Sequence, residues 1–325
     1  MQSIAKRNNT NKFIVLTSMA IIAVITYMLI DLNFENSRLL SFAMKIRFPK
    51  LIVMIIVSIS IGSASIIFQS VINNRIVTPC LLGMNSLYSL IHTAVVFFAG
   101  SASMIATNSN LSFAFDLILM AVVATTIYSY LFKKIKHNVL YVLLIGTVLT
   151  SLFTSIQTTL TRIMDPNEYD TLLSSLVASF NNINTEIIIF SIILLVLLAY
   201  ALRKELALLD VITLGKAQAI NLGVDYDVCI RKLLLGVTLC IAIATAMVGP
   251  ISFLGLIIAN LSRQLFKTYK HTHLILGSTL FGIIVLIGGQ IIVEHVYTYS
   301  MPISVFITVG GGIYFLYLLL TNRRV

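Results

Sequence analysis

Residues 213–227 read TLGKAQAINLGVDYD, a polar, helix-capable island between two long apolar runs at 187–201 and 233–248. Lys204, Glu205, Asp210, Lys216, Asp225, Asp227, Arg231 and Lys232 make 203–232 the most charge-dense segment of the chain. Thirty or so residues are too few to bury a core of their own, so the segment must lean on something else. It reads as a cytoplasmic handle held by a partner that supplies energy, or as a solvated loop with no partner. Placement alone leaves both open.

What flanks the island decides the class. Of 325 residues 58% are hydrophobic and only 10% charged, with mean hydropathy +0.99. A soluble chain carries about 25% charged residues, so this composition is that of a polytopic membrane protein. The net charge of +10 does not point to nucleic acid, because the basic residues sit in small groups at the ends of apolar runs. That placement suits lipid headgroups and topology control. Cys80, Cys229 and Cys240 have no metal-ligand spacing and predict packing residues without a disulfide.

Working outward from the island, ten apolar runs emerge: 13–30, 51–68, 80–99, 111–132, 139–160, 186–202, 233–248, 251–261, 274–293 and 303–320. The first follows Lys6, Arg7 and Lys12 without a small-residue cleavage site, and is read as a retained span. An all-α chain of ten transmembrane helices puts both termini on one side. With the termini inside, only Arg38, Lys45, Arg47, Lys50 and Arg162 of the 22 basic residues fall outside, as the positive-inside rule requires. The eighth run is too short to cross alone unless it extends past Ser262. There is no separate soluble domain, so 1–325 is expected to form one transmembrane unit.

Candidate chemistry is sparse. No G-x-x-x-x-G-K-[ST] phosphate cradle, H-E-x-x-H, Cys pair or G-x-S-x-G elbow occurs, so the chain cannot split ATP by the P-loop route. Asp116 and Glu294 lie near span ends and suit capping or snorkelling better than an ion relay. His92, alone within the third run, reads as a packing residue, and His295 as interfacial. In the fifth run Thr147, Thr150, Ser151, Thr154, Ser155 and Thr158 recur at helical spacing. That hydroxyl face either packs closely on another helix or lines a path for a polar solute. Arg47 and Lys50 put two cations outside the second run. They are ordinary interfacial residues or a socket for an acidic soluble partner.

Several segments together resemble the FecCD-type permeases, subunits of ABC importers for iron–siderophores and cobalamin. Residues 249–257 read GPISFLGLI and, with Arg263, match that family's GPIxFxGLIxPHxxR signature. Leu214, Gly215, Ala219, Leu222, Gly223 and Val224 match its L-G-x-x-x-A-x-x-L-G-V segment. RFPK at 47–50 resembles R-x-P-R, the stretch from Gln69 to Gly83 resembles Q-x-x-x-x-N-x-L-x-x-P-x-x-L-G, and Pro302 to Gly310 resembles the family's P-[IV]-G…G ending. The chain departs from the pattern at Ala259-Asn260, where the family has Pro-His, at Asn74-Arg75-Ile76-Val77, where it has Asn-Pro-Leu-Ala, and at Lys50 in place of an arginine.

The resemblance implies a BtuC-like, type II ABC importer permease fold that dimerises, with itself or a second permease, around a central pathway in the cell membrane. It implies two cytosolic ATPase subunits, which bind the ATP and Mg that this chain does not. These would grip short coupling helices within about 205–230, through Leu214, Gly215, Ala219, Leu222, Gly223, Val224 and Asp225. An extracytoplasmic binding lipoprotein would dock on Arg47 and Lys50 and deliver a ferric siderophore, with cobalamin or haem as the alternative substrates. The same resemblance gives the Thr147, Thr150, Ser151 and Thr154 face to the translocation pathway. The rivals are an ion-coupled secondary transporter, which lacks a convincing mid-membrane coupling residue, and an intramembrane enzyme, which lacks a nucleophile with its base.

Overall fold

Each of the ten apolar runs becomes a helix, because in lipid a backbone must satisfy its own polar groups. The computed structural model describes residues 2–32, 37–100, 103, 108–134, 139–180 and 185–321, with no strand among them. In order these are α1 (Gln2–Leu29), α2 (Ser37–Ile72), a 3-10 turn (Pro79–Leu82), α3 (Met84–Ala99), α4 (Ser109–Lys134) and α5 (Val139–Ile163). Then come α6 (Pro166–Leu176), α7 (Thr185–Ala201), α8 (Arg203–Ile212), α9 (Lys216–Asn221) and α10 (Tyr226–Val248). The last three are α11 (Leu254–Leu265), α12 (His271–His295) and α13 (Ile303–Thr321).

Burial sorts the helices into inner and outer members. In α2 and α10, 78% and 72% of the most apolar window lies inside the protein, against 17% in α1 and 33% in α4 and α12. The core is α2 packed on α10 and α12. Val53, Met54, Val57, Leu233, Val237, Ile241, Leu286 and Ile287 are among its fully enclosed side chains. Close approach uses small residues: a Cβ on Gly255 of α11 would come 2.1 Å from Ser65 Oγ of α2. The three cysteines are separate thiols.

Among the described residues five helices are long and apolar enough to cross a bilayer alone, and a sixth crossing arises if α7 and α8 are one bent span. The sixth run ends where α8 turns 55° away from α7. The eighth run starts later and ends later than its apolar residues indicate. Gly249, at φ +89, and Pro250 hold 249–253 out of the helix, and α11 runs on to Leu265. Its 12 residues span only about 18 Å. By contrast, α2 begins well before its apolar run and continues through Pro49. Its 36 residues make about 54 Å, longer than the roughly 30 Å hydrocarbon core.

Candidate functional site

The island at 213–227 is built locally. Leu214 and Gly215 close α8 by hydrogen bonds to Val211 and Ile212, and Gly215 opens α9 at φ +105. A second glycine, Gly223 at φ +81, turns the chain back, and its amide bonds the Ile220 carbonyl at 2.9 Å. Asp225 then caps α10, its side chain accepting from the Val228 amide at 3.2 Å. Val224 is half-buried and Ala219 is fully buried, pinning α9 down.

Ion pairs fasten this handle to the body. Lys232 of α10 donates to Glu205 of α8 at 2.7 Å, and that bond holds the Glu205 carboxyl below its usual pKa. Asp210 of α8 meets His271 Nδ1 of α12 at 2.5 Å and also accepts from the His271 amide at 3.0 Å. Lys216 reaches both Asp227 oxygens at 3.0 Å across the loop, an exposed pair of little energetic weight. The outward side is apolar: Leu214, Ile220 and Leu222 are 58%, 52% and 64% exposed. Three exposed aliphatic side chains thus interrupt a segment otherwise held by charges.

At the opposite end of the bundle a second cluster forms. Lys50 is buried, and its Nζ lies 3.0 Å from Glu294 Oε1 of α12. Gln290 and Tyr27 donate to the same oxygen at 2.7 and 3.4 Å. Arg47 is half-buried and caps the last turn of α1, with Nη1 2.6 Å from the Ile30 carbonyl. His295 pairs with Asp31 at 2.8 Å. The sequence put Lys50 and Arg47 at a rim; the structure gives each an internal partner as well. Glu294, read as a capping residue, is the acceptor that holds α1, α2 and α12 together.

The fifth-span face is open. α5 rests mainly on α3 and the 3-10 turn. Thr147, Ser151 and Thr154 are exposed, while Thr150 is half-buried against Gly83. Thr150, Ser151, Thr154, Ser155, Thr158, Thr159 and Arg162 line a groove of about 540 Å³, which Thr147 does not reach. Thr147, Thr150 and Thr158 return their hydroxyl protons to their own helix, bonding Leu144, Gly146 and Thr154 carbonyls at 2.8 Å. Such hydroxyls tolerate lipid and still offer oxygen lone pairs to a solute. Among the described residues, then, this face is exposed except at Thr150, which sits against Gly83 where α3 begins.

Two partnerships escaped the sequence. His92 Nδ1 lies 2.7 Å from Asp116 Oδ2 of α4, both buried, so His92 is not a lone packing residue. The signature segment also closes on another motif: Arg263 donates to Gln69 Oε1 at 3.1 Å and to Ser70 Oγ at 2.9 Å. Two of the three departures from the family pattern touch each other, since the Asn260 side-chain amide donates to the Arg75 carbonyl at 3.0 Å.

Comparison with known proteins accords with this geometry. The FecCD transport family model matches residues 7–321. The petrobactin import system permease protein YclO of Bacillus subtilis (strain 168) is 38% identical over 316 residues, 97% of this chain and 99% of that protein. FatC, a petrobactin import system permease protein of Bacillus anthracis, is 33% identical over 282 residues, 86% of this chain and 79% of its own. A solved inward-facing metal-chelate type ABC transporter superposes with a TM-score of 0.77 at 22% identity, covering 97% of this chain and 100% of that one.

Proposed function

This chain belongs to the FecCD transport family, and from that premise we propose that it is the membrane permease of an ATP-driven importer for a ferric siderophore, with petrobactin the first candidate. The carrying observation is the exposed Leu214, Ile220 and Leu222 surface on a handle clamped to α10 and α12, in a chain with no phosphate cradle of its own. Force enters there from two cytosolic ATPase subunits that hold ATP and Mg. Residues Leu214, Gly215, Ala219, Leu222, Gly223, Val224 and Asp225 form the grip.

The chain makes ten crossings with both termini cytoplasmic, as a single permease unit of the cell membrane; the basic-residue bias and the helices that cover the ten apolar runs support this reading. Two permeases face each other across the α5 groove, and solute passes along Thr147, Thr150, Ser151 and Thr154. An external binding protein docks over this end of the bundle, with half-buried Arg47 as the cation within its reach and Lys50, enclosed against Glu294, bracing the surface from beneath. Deleting the chain's gene and measuring uptake of radiolabelled ferric petrobactin tests the reading. Loss of petrobactin uptake, restored only when the partner ATPase is intact, is expected. Unchanged iron uptake, or loss confined to cobalamin or haem, would redirect the substrate; uptake that needs no ATPase would end the importer assignment.

A further inference from the structure

A second cavity, of about 1120 Å³, lies between α1, the end of α11, the first turn of α12 and the end of α13, at the tip of α12 to which the handle is anchored. It is lined by four cations, Arg75, Arg263, Lys267 and Lys270, together with His273. No Asp or Glu lines it, and among the described residues none of the four cations has a carboxylate partner. Arg263 bonds only neutral acceptors. His273 Nδ1 is buried with no hydrogen-bond partner. Arg75, Lys267 and Lys270 are exposed and Arg263 is half-buried, and like charges gathered round it without a counter-charge repel one another.

The cavity's other wall is apolar. Phe13 stacks on Phe266 at 4.0 Å, and Tyr317 and Leu318 lie alongside at the end of α13. We propose that this cavity binds an anionic phospholipid from the cytoplasmic leaflet, its phosphodiester among Arg75, Arg263, Lys267 and Lys270 and its first acyl segment along Phe13 and Tyr317. Basic pockets between helices at the cytoplasmic boundary recognise such headgroups. The volume slightly exceeds the roughly 300–1,000 Å³ of common small-molecule sites, so a bare phosphate ion would leave most of it unfilled. The site adjoins the handle's anchor, because His271, held by Asp210, stands two residues before His273. The inference uses the chain's membrane embedding and orientation; it does not depend on what is transported.

The test is native mass spectrometry of the delipidated full chain offered dioleoylphosphatidylglycerol or dioleoylphosphatidylcholine. The wild type should retain phosphatidylglycerol at least tenfold more than phosphatidylcholine, undisplaced by millimolar inorganic phosphate. Arg75→Gln/Lys267→Gln/Lys270→Gln should lose that preference; Lys267→Gln alone, at an exposed position, should reduce it several-fold if the triple variant does not fold. Equal retention of the two lipids, an unaltered preference in Lys267→Gln, or displacement by inorganic phosphate would each overturn the lipid assignment. Because the assay contains neither siderophore nor ATPase, its failure is distinct from failure of the transport reading.

Discussion

Lys50 carries its ammonium to a place only 5% exposed, where the Glu294 carboxylate answers it. Removing one partner of a buried pair leaves the other charge uncompensated, at a cost of about 3–5 kcal/mol. Glu294→Gln should therefore lower the thermal midpoint of the detergent-solubilised chain sharply, while Lys50→Met combined with Glu294→Gln should regain most of it. Equal midpoints for wild type and Glu294→Gln would mean the pair contributes nothing. Arg47 is separable. Arg47→Glu should slow association of the binding protein, and Arg47→Lys should keep the rate, since rim charge governs encounter. Calorimetry or surface plasmon resonance reads both. Lys50 and Arg47 were legible as cations near a boundary, whereas their partners were not. Glu294 stands 244 residues away from Lys50, and the register between α2 and α12 that brings them together is encoded in packing, not in any local pattern.

The handle is the most legible element because its signals are local: two glycines, a capping Asp and a charge-rich interval. Gly223 is exposed, and a Cβ there would meet nothing within 4 Å. The constraint is the left-handed backbone, which costs a non-glycine residue about 1–2 kcal/mol and asparagine less. Gly223→Val should thus loosen α9 and raise the ratio of ATP hydrolysed to siderophore imported. Gly223→Asn should leave that ratio near wild type in reconstituted vesicles. An unchanged ratio in Gly223→Val would remove the turn from the coupling path. Other elements were hidden for physical reasons. The segment after α5 reads as polar loop, yet Asp165 caps α6 and Pro166 starts it, signals a hydropathy scan passes over. The eighth run hides the turn at Phe253, whose φ of +61 no sequence rule gives to a phenylalanine.

The whole molecule leaves apolar side chains exposed on several helices. Val148, Leu152 and Ile156 of α5 are 65%, 50% and 43% exposed beside the hydroxyl groove, and Val309 and Ile313 of α13 are 57% and 66% exposed. If α5 faces a second permease, Ser151→Cys or Thr154→Cys should form a disulfide-linked dimer on mild oxidation in membranes, with Leu197→Cys of α7 as the unlinked control. Linkage of the control alone would move the interface elsewhere. The fold class could be read from composition, but how much of each helix is enclosed could not, since lipid-facing and core-facing residues are equally apolar. α12 deserves a last consequence. It is clipped to Asp210 at its first residue and to Lys50 and Asp31 at its last two, about 37 Å apart. A stiff rod fastened at both tips works as gearing. On the importer reading, a tug at one tip is expected to load the other, so that release of cargo outside and the power stroke inside would share a clock instead of running in sequence.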